Sequence, residues 1–188
     1  PDIIKKYTNL GLEVNIVKGY GDHLGFNDDT FKNAGAKILL SKEEVIKNSN
    51  ILIQLDLINE NDFSILSKDK ILIGSMNYSK NKDKIEKLKS NGVNIFSLEL
   101  LPRITRAQSM DILSSQANLA GYKAVLEAFA FFEKAIPMMM TAAGTIPAAK
   151  VLVVGAGVAG LQAVATAKRM GAVVFAIDVR MASKEQVE

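Results

Sequence analysis

The chain has 188 residues, of which 48% are hydrophobic and 23% are charged, a composition typical of one large or two small globular domains. The net charge of +3 comes mainly from scattered lysines, so we predict no nucleic-acid partner. Because the chain has no cysteine, disulfides and thiolate metal sites are excluded, and we predict no metal centre.

The two ends of the chain indicate a piece of a longer protein. The sequence begins at Pro1 with a helical pattern and without a signal peptide, and it ends at Glu188 within a helix-like segment. Residues 151–167 carry no charge, but three glycines interrupt them and the run is shorter than the ~20 residues of a membrane-spanning helix. We therefore expect a soluble chain.

The first half of the chain alternates between helical and strand patterns. Apolar residues at helical spacing occupy residues 3–10, a short helix is predicted at 28–33, and Ser41 with Glu44 forms a capping box ahead of another helix. Helical stretches also precede the last two strands. The predicted strands occupy residues 12–17, 37–40, 51–55, 71–74 and 93–96. This order predicts a mostly parallel sheet covered by helices.

A long helix is predicted at residues 107–132. The segment that follows, 134–150, contains Pro137, Gly144 and Pro147, and we interpret it as an irregular crossing between domains. The predicted organisation is an α/β domain at 1–106, the long helix and crossing at 107–144, and the start of an incomplete second domain at 145–188. The fold class is therefore α/β, with two parallel-sheet domains joined by a long helix.

The strongest motif is a glycine-rich turn between a strand and a helix. The apolar strand 151–154 runs directly into Gly155, Gly157 and Gly160. The first glycine permits a tight turn, the second lets the backbone approach a pyrophosphate, and the third lets the following helix pack closely on the strand. Free N–H groups at the start of that helix favour an anion. This context predicts a Rossmann-like domain that binds a dinucleotide; the alternative is a tight turn without a ligand.

The second strand of this unit, 173–177, ends at Asp178. A carboxylate at this position accepts hydrogen bonds from ribose hydroxyls and repels a 2′-phosphate, so Asp178 favours NAD(H) over NADP(H). Arg180 instead favours NADP(H), because an arginine near this strand end can hold a 2′-phosphate. FAD is a further alternative, since FAD proteins share the glycine pattern.

Polar residues interrupt the apolar pattern of the predicted long helix. Four of them follow the spacing i, i+3, i+7, i+10, which would put them on one helix face: Gln108, Asp111, Ser115 and Asn118. Ser114 lies beside them. If this stripe faced a ligand cleft, the ligand would supply its hydrogen-bond partners. The alternative is that Gln108 or Ser109 caps the helix and the other residues face water.

Three stretches carry a specific resemblance: PRITRAQSMDILSSQANLAGY, MMMTAAGTIPAAKVLVVGAGVAGLQAVATAKRMGA and DVR. They resemble the NAD(H)-binding component, the alpha subunit, of the proton-translocating nicotinamide nucleotide transhydrogenases, almost without a break over residues 101–188. The stretch GYGDHLGFNDDTFKNAGAKI (19–38) has a looser likeness that is shared with alanine dehydrogenase. Members of this family begin with a further strand and loop and continue past the position of Glu188, so we expect a fragment truncated at both ends.

The resemblance implies a nucleotide site with three parts. At the nicotinamide, Arg103 and Ser114 would hold the carboxamide end, Asp111 would orient that network, and Gln108 would reach toward a second nucleotide. These four are the expected catalytic residues. The implied binding residues are Arg103, Arg106, Ala107, Gln108 and Ser109 at the nicotinamide, Gly155, Ala156, Gly157, Val158 and Gly160 at the pyrophosphate, and Asp178, Val179 and Arg180 at the adenosine.

The reaction implied by the resemblance is direct hydride transfer between NAD(H) on this chain and NADP(H) on a partner, the beta subunit or domain III. In the whole enzyme this transfer is coupled to proton translocation by a membrane domain. Because a hydride moves without a separate proton, catalysis would consist of positioning and water exclusion. The resemblance further implies a homodimer and a peripheral location on the cytoplasmic face of the inner membrane, and we expect the fragment alone to be inactive.

Alanine dehydrogenase is the nearest rival with the same fold. Oxidation of an amino acid requires a lysine that holds the substrate and a histidine that handles a proton, and Asp56 and Asn77 occupy the corresponding positions here. The only histidine, His23, is predicted to lie in a surface loop. A non-catalytic NAD-binding module is a further alternative, although simple binding does not need the polar residues at 103–114.

Overall fold

The computed structural model describes residues 1–187, and the chain divides into two compact units. The first unit is Pro1–Pro102 and the second begins at Arg103. Residue 188, the last of the predicted third segment, lies outside the described residues. The predicted α/β class with parallel sheets is confirmed in both units. Within residues 1–187 no helix has both the length and the apolar character that crossing a membrane requires.

The first unit alternates helices and strands, as the sequence predicts. Its elements are α1 (Asp2–Asn9), β1 (Val14–Val17), α2 (Asp28–Asn33), β2 (Ala36–Leu39), α3 (Lys42–Asn48), β3 (Ile51–Gln54), β4 (Ile71–Gly74), α4 (Tyr78–Ser90) and β5 (Asn94–Ser97). Short 3₁₀ helices occupy Asp22–Leu24, Glu60–Ile65 and Leu98–Leu100. Strand β1 pairs in parallel with β2, and β3, β4 and β5 form a second parallel sheet in that order.

The main core of the first unit lies against one face of the β3–β4–β5 sheet. Leu52, Leu72 and Ile95 stand side by side in register, and they pack into a cluster that includes the fully buried Leu88 of α4. Residues one position along each strand point to the other face, where Phe96 is 57% exposed. This period of two is what a strand with one buried face requires.

The second unit contains one long helix and a small parallel sheet. Its elements are α5 (Ile112–Phe131), β6 (Met139–Thr141), β7 (Gly144–Ile146), β8 (Lys150–Val154), α6 (Val158–Arg169), β9 (Val173–Ile177) and α7 (Lys184–Val187), with 3₁₀ helices at Thr105–Met110 and Met181–Ser183. Strands β8 and β9 pair in parallel from end to end. Val125 of α5 and Ala167 of α6 form the buried core with Ala172.

Two sequence predictions for this unit were wrong in detail. The long helix does not begin near residue 107: Thr105–Met110 is a separate 3₁₀ helix, and α5 begins at Ile112, because the side chain of Asp111 accepts a hydrogen bond from the first turn and acts as its cap. The segment predicted to be irregular, 134–150, contains the antiparallel pair β6 and β7.

Candidate functional site

The glycine loop, residues 155–160, connects β8 to α6, and each of its glycines has a distinct geometry. Gly155 has a φ of +95°, a conformation that only glycine adopts readily. A Cβ at Gly160 would lie 1.7 Å from the carbonyl oxygen of Gly155, so the helix and the loop approach each other as closely as glycine allows. At Gly157 a Cβ would meet no atom within 4 Å. The backbone at Gly157 is therefore open to a close approach from outside.

Helix α6 begins at this open point. Gly157 is its N-cap residue, and among the described residues no side chain caps the first turn. The N–H groups of that turn are thus available to a ligand, and the dipole of the helix puts partial positive charge there. Together with the open backbone, this makes the start of α6 suited to a phosphate group.

Asp178 follows β9 and bonds directly to the glycine loop. Its Oδ2 accepts a hydrogen bond from the backbone N–H of Ala156 at 2.7 Å. Its Oδ1 accepts from the backbone N–H of Arg180 at 2.8 Å and from Nε of Arg180 at 3.0 Å. The guanidinium of Arg180 and then the two backbone N–H groups hold the pKa of the Asp178 carboxyl far below its ordinary value of 3.8. This carboxylate is therefore charged at neutral pH and fixed beside the loop.

The polar segment, residues 103–114, is organised around Asp111. The Oδ1 of Asp111 accepts from the backbone N–H of Ser114 at 2.9 Å, and its Oδ2 accepts from the Ser114 hydroxyl at 2.7 Å. These bonds, and then the charge of Arg103, lower the pKa of Asp111 from its ordinary value. The cap is thus Asp111, whereas the sequence alternative named Gln108 or Ser109.

The predicted polar stripe along one helix face was wrong, because Gln108 and Asp111 precede the helix. Asn118 does lie on α5, but it donates a hydrogen bond to Oε1 of Gln162 on α6 at 3.1 Å and so joins the two helices. Four of the predicted site residues in the polar segment are exposed, namely Arg103, Arg106, Gln108 and Ser109, whereas Ala107 is buried. Several polar groups of this segment are therefore free to meet a ligand.

The packing of α5 on α6 sets where the polar segment lies relative to the glycine loop. A Cβ at Gly121 would lie 2.0 Å from the carbonyl oxygen of Ala159, and a Cβ at Gly171, beyond the end of α6, would lie 2.7 Å from Cβ of Pro137, beyond the end of α5. Helix α5 therefore passes close to the first turn of α6, next to the glycine loop. Ser114 precedes Gly121 by seven residues, so it lies about 10 Å along α5 from this contact.

The first unit contains an open cleft beyond the carboxyl ends of β3 and β4. Asp56 and Asn77, the two positions at which an alanine dehydrogenase would need a lysine and a histidine, both line this cleft. Lys42 also lines it, and its ammonium is paired with the carboxylate of Asp62. His23 is exposed, as predicted. The cleft thus lacks the acid–base pair of amino-acid oxidation at these two positions.

Sequence reasoning missed two structural residues, one at the contact between α5 and α6 and one at the start of α4. Gly121 lies in the middle of α5, where glycine makes a helix about 1 kcal/mol less stable than alanine does. A glycine at such an unfavourable position could have indicated a close contact with another helix. Glu99 caps the start of α4: its carboxylate accepts from the N–H groups of Met76 and Tyr78, each at 3.0 Å. No local pattern predicts this second contact, because Glu99 lies on a separate 3₁₀ helix.

Two family models match the chain. The model for the alanine dehydrogenase/PNT N-terminal domain matches residues 1–120, and the model for the C-terminal domain matches residues 124–188. The chain is 45% identical over 193 residues to an NAD(P) transhydrogenase subunit alpha polypeptide of Rhodospirillum rubrum, a match that covers 100% of this chain and 50% of the relative.

Solved structures agree with these matches. A crystal structure of transhydrogenase from Sinorhizobium meliloti has a TM-score of 0.92 and 46% identity, covering 99% of this chain and 55% of that chain. An L-alanine dehydrogenase has a TM-score of 0.81 but 21% identity, covering 100% and 52%, so that likeness shows the fold alone. The chain spans about half the length of the curated relatives it matches.

Proposed function

The chain belongs to the alanine dehydrogenase/PNT family, and from that premise we propose that it is the NAD(H)-binding part of an NAD(P) transhydrogenase. The observation that carries the proposal is the glycine loop: Gly157 offers open backbone at the uncapped start of α6, and Asp178 lies bonded beside it. A pyrophosphate at residues 155–160 and an adenosine ribose at Asp178 match these two features.

The preference for NAD(H) over NADP(H) rests on Asp178. Its depressed pKa keeps the carboxylate charged, and this charge repels a 2′-phosphate while it accepts hydrogen bonds from ribose hydroxyls. Val179 and Arg180 flank the adenosine in this arrangement. FAD shares the glycine pattern, but the family's relatives are named for NAD(P).

The polar segment, at the start of α5, is the proposed nicotinamide site. Arg103 and Ser114 hold the carboxamide end, Asp111 fixes Ser114 through two hydrogen bonds, and Gln108 faces the second nucleotide. Arg106 and Ser109, which are exposed, and the buried Ala107 also line this nicotinamide site. The cap at Asp111 supports this assignment, because a helix start with a fixed geometry holds its neighbours in place.

The bound nicotinamide supplies the hydride chemistry, and the residues of this chain only bind, orient and exclude water. The second nucleotide, NADP(H), is held by the beta subunit or domain III, and coupling to proton translocation takes place in a membrane domain. We further propose that the chain works as a homodimer on the cytoplasmic face of the inner membrane. Relatives named as transhydrogenase alpha subunits support this set of partners.

Titration of the intact protein with NADH and with NADPH, followed by nucleotide fluorescence, tests this proposal. We expect tighter binding of NADH, and we expect the Asp178→Ala variant to narrow the difference. The Asp83→Ala variant, at an exposed position of α4 in the first unit, is the matched control and should leave both affinities unchanged. Equal affinities for the two nucleotides in the unmodified protein would overturn the assignment.

A further inference from the structure

The carboxylate of Asp178 has no acceptor position left for a ribose. A carboxylate accepts about four hydrogen bonds, and Asp178 already accepts four: Ala156 N and Arg180 Nη2 at Oδ2, and Arg180 N and Nε at Oδ1. Two of these four donors belong to the guanidinium of Arg180. The ribose of NAD(H) therefore cannot bond to Asp178 until donors leave.

The two guanidinium donors can leave Asp178 more easily than the two backbone donors. The N–H groups of Ala156 and Arg180 are backbone groups fixed by the glycine loop and the end of β9. The guanidinium is on a flexible side chain that is 60% exposed, whereas the side chain of Asp178 is 10% exposed. We infer that the Arg180 side chain competes with the nucleotide for Asp178. In the free protein it occupies the two acceptor positions that the 2′- and 3′-hydroxyls of the adenosine ribose take when NAD(H) binds. This inference rests on the proposed NAD(H) function.

The exchange keeps the number of hydrogen bonds to the Asp178 carboxylate unchanged. Two N–H donors of the guanidinium leave the carboxylate and two O–H donors of the ribose replace them, while the bonds from the two backbone N–H groups stay. Arg180 also gives up its bond from Nη2 to the carbonyl oxygen of Ala156, which is 3.3 Å long. Only molecules in which Arg180 has moved away from Asp178 can bind the ribose. The apparent affinity for NAD(H) is therefore the intrinsic affinity multiplied by the fraction of molecules in that state.

The size of the effect follows from the exposure of the pair. An ion pair with an exposed partner changes an equilibrium constant by up to roughly fivefold. Arg180→Met keeps a long side chain without donors. We expect this variant to bind NADH roughly two- to fivefold more tightly than the unmodified protein, and Arg180→Lys, with one ammonium, to lie between them.

Three controls, one with a different ligand and two with other variants, separate competition at Asp178 from a general effect on the fold. Reduced nicotinamide mononucleotide has no adenosine ribose, so Arg180→Met should leave its affinity unchanged. In an Asp178→Ala background the guanidinium has no carboxylate to occupy, so adding Arg180→Met should no longer tighten NADH binding. Arg169→Met, which removes an exposed arginine at the end of α6, should also have no effect.

Different results would overturn the proposed NAD(H) function and the proposed competition by Arg180. Absence of NADH binding by the unmodified protein, or indifference of that binding to Asp178→Ala, overturns the proposed function. NADH binding that depends on Asp178 but is weakened or unchanged by both Arg180→Met and Arg180→Lys overturns the inference alone. Tighter NADH binding in Arg180→Met that disappears in the Asp178→Ala background supports the competition.

Discussion

The ammonium of Lys70 donates a hydrogen bond to the backbone carbonyl oxygen of Ile46 at 2.7 Å. It also donates to the carbonyl oxygens of Lys47 at 3.2 Å and Ser49 at 2.6 Å, although only 8% of Lys70 is exposed. The last carbonyls of a helix lack partners within the helix. The buried Lys70, which directly precedes β4, therefore caps the end of α3.

Replacement of this lysine should destabilise the protein. Lys70→Met keeps the length of the side chain but leaves one buried and two partly buried carbonyl oxygens without this donor. We therefore expect the free energy of unfolding to fall by about 2–3 kcal/mol. Lys82→Met, at an exposed position of α4, should change it by less than about 0.5 kcal/mol. Denaturant unfolding of both variants measures the difference, and equal effects would mean that the three bonds contribute nothing specific.

The contact of Gly121 with Ala159 gives a prediction of unusual sign. Alanine normally stabilises a helix relative to glycine by about 1 kcal/mol. At Gly121 the added Cβ would lie 2.0 Å from a backbone oxygen of α6, so Gly121→Ala should instead lower the free energy of unfolding by about 1–3 kcal/mol. The reverse change at an exposed position of the same helix, Ala128→Gly, measures how much helix propensity alone changes the free energy of unfolding. A stabilised Gly121→Ala variant would show that the helices are not in this contact.

The sequence predicts those parts of the site that depend on local geometry. The roles of Gly155 and Gly160 follow from one strand, one turn and one helix, and the structure has that geometry. The start of α5 was misplaced because the apolar period continues upstream of Asp111 and several polar residues compete for the cap. The pairing of Asp178 with Arg180 was not predicted, because it depends on side-chain rotamers. The division of the first unit into two sheets depends on long-range pairing, which alternation alone does not specify.

Glu99 should make the stability of the first unit depend on acid. Burial acts to raise the pKa of Glu99, but the adjacent Ser97 side chain and several backbone N–H groups, including those of Tyr78 and Met76, together lower it below its ordinary value of 4.5. A group with a lowered folded pKa stabilises the protein above its unfolded pKa, and that contribution is lost as the pH falls toward the folded pKa.

The Glu99→Gln variant isolates this contribution. Glutamine keeps one acceptor oxygen but has no charge to titrate, so we expect it to be less stable than the unmodified protein near neutral pH. The gap should begin to narrow as the pH falls below about 4.5, where the unfolded chain takes up a proton, and should close once the pH is below the lowered folded pKa, because the native carboxylate is then protonated as well. Denaturant midpoints across this range measure the gap, and a gap that stays constant down to about pH 3 would contradict the role of the charge.

The cleft of the first unit should not support amino-acid oxidation. Asp56 and Asn77 line it, and neither can replace the lysine and histidine that the reaction requires. The intact protein supplied with L-alanine and NAD should produce no NADH above background, measured by absorbance. A known alanine dehydrogenase assayed in parallel is the positive control. Turnover of about 1 per second or more would restore alanine oxidation as the function.

The exposed Gln108 gives the sharpest test of the nicotinamide site. Gln108→Asn shortens the side chain by one methylene, and a displacement of about 1 Å between reacting groups can reduce a rate roughly a hundredfold. The pyrophosphate and adenosine contacts proposed at Gly157 and Asp178 stay intact, so we expect a large fall in the rate of hydride transfer with only a few-fold change in NADH affinity.

Stopped-flow transfer from NADH to an NADP analogue on the partner subunit, combined with equilibrium NADH titration, measures both quantities on the same variant. Gln116→Asn makes the same chemical change at an exposed position of α5 and should leave both unchanged. Equal losses of transfer and affinity at Gln108 would mean that this residue binds the nucleotide without orienting it. An unchanged transfer rate would mean that Gln108 only faces water, since its replacement would then disturb neither the reacting carbons nor the cap formed by Asp111.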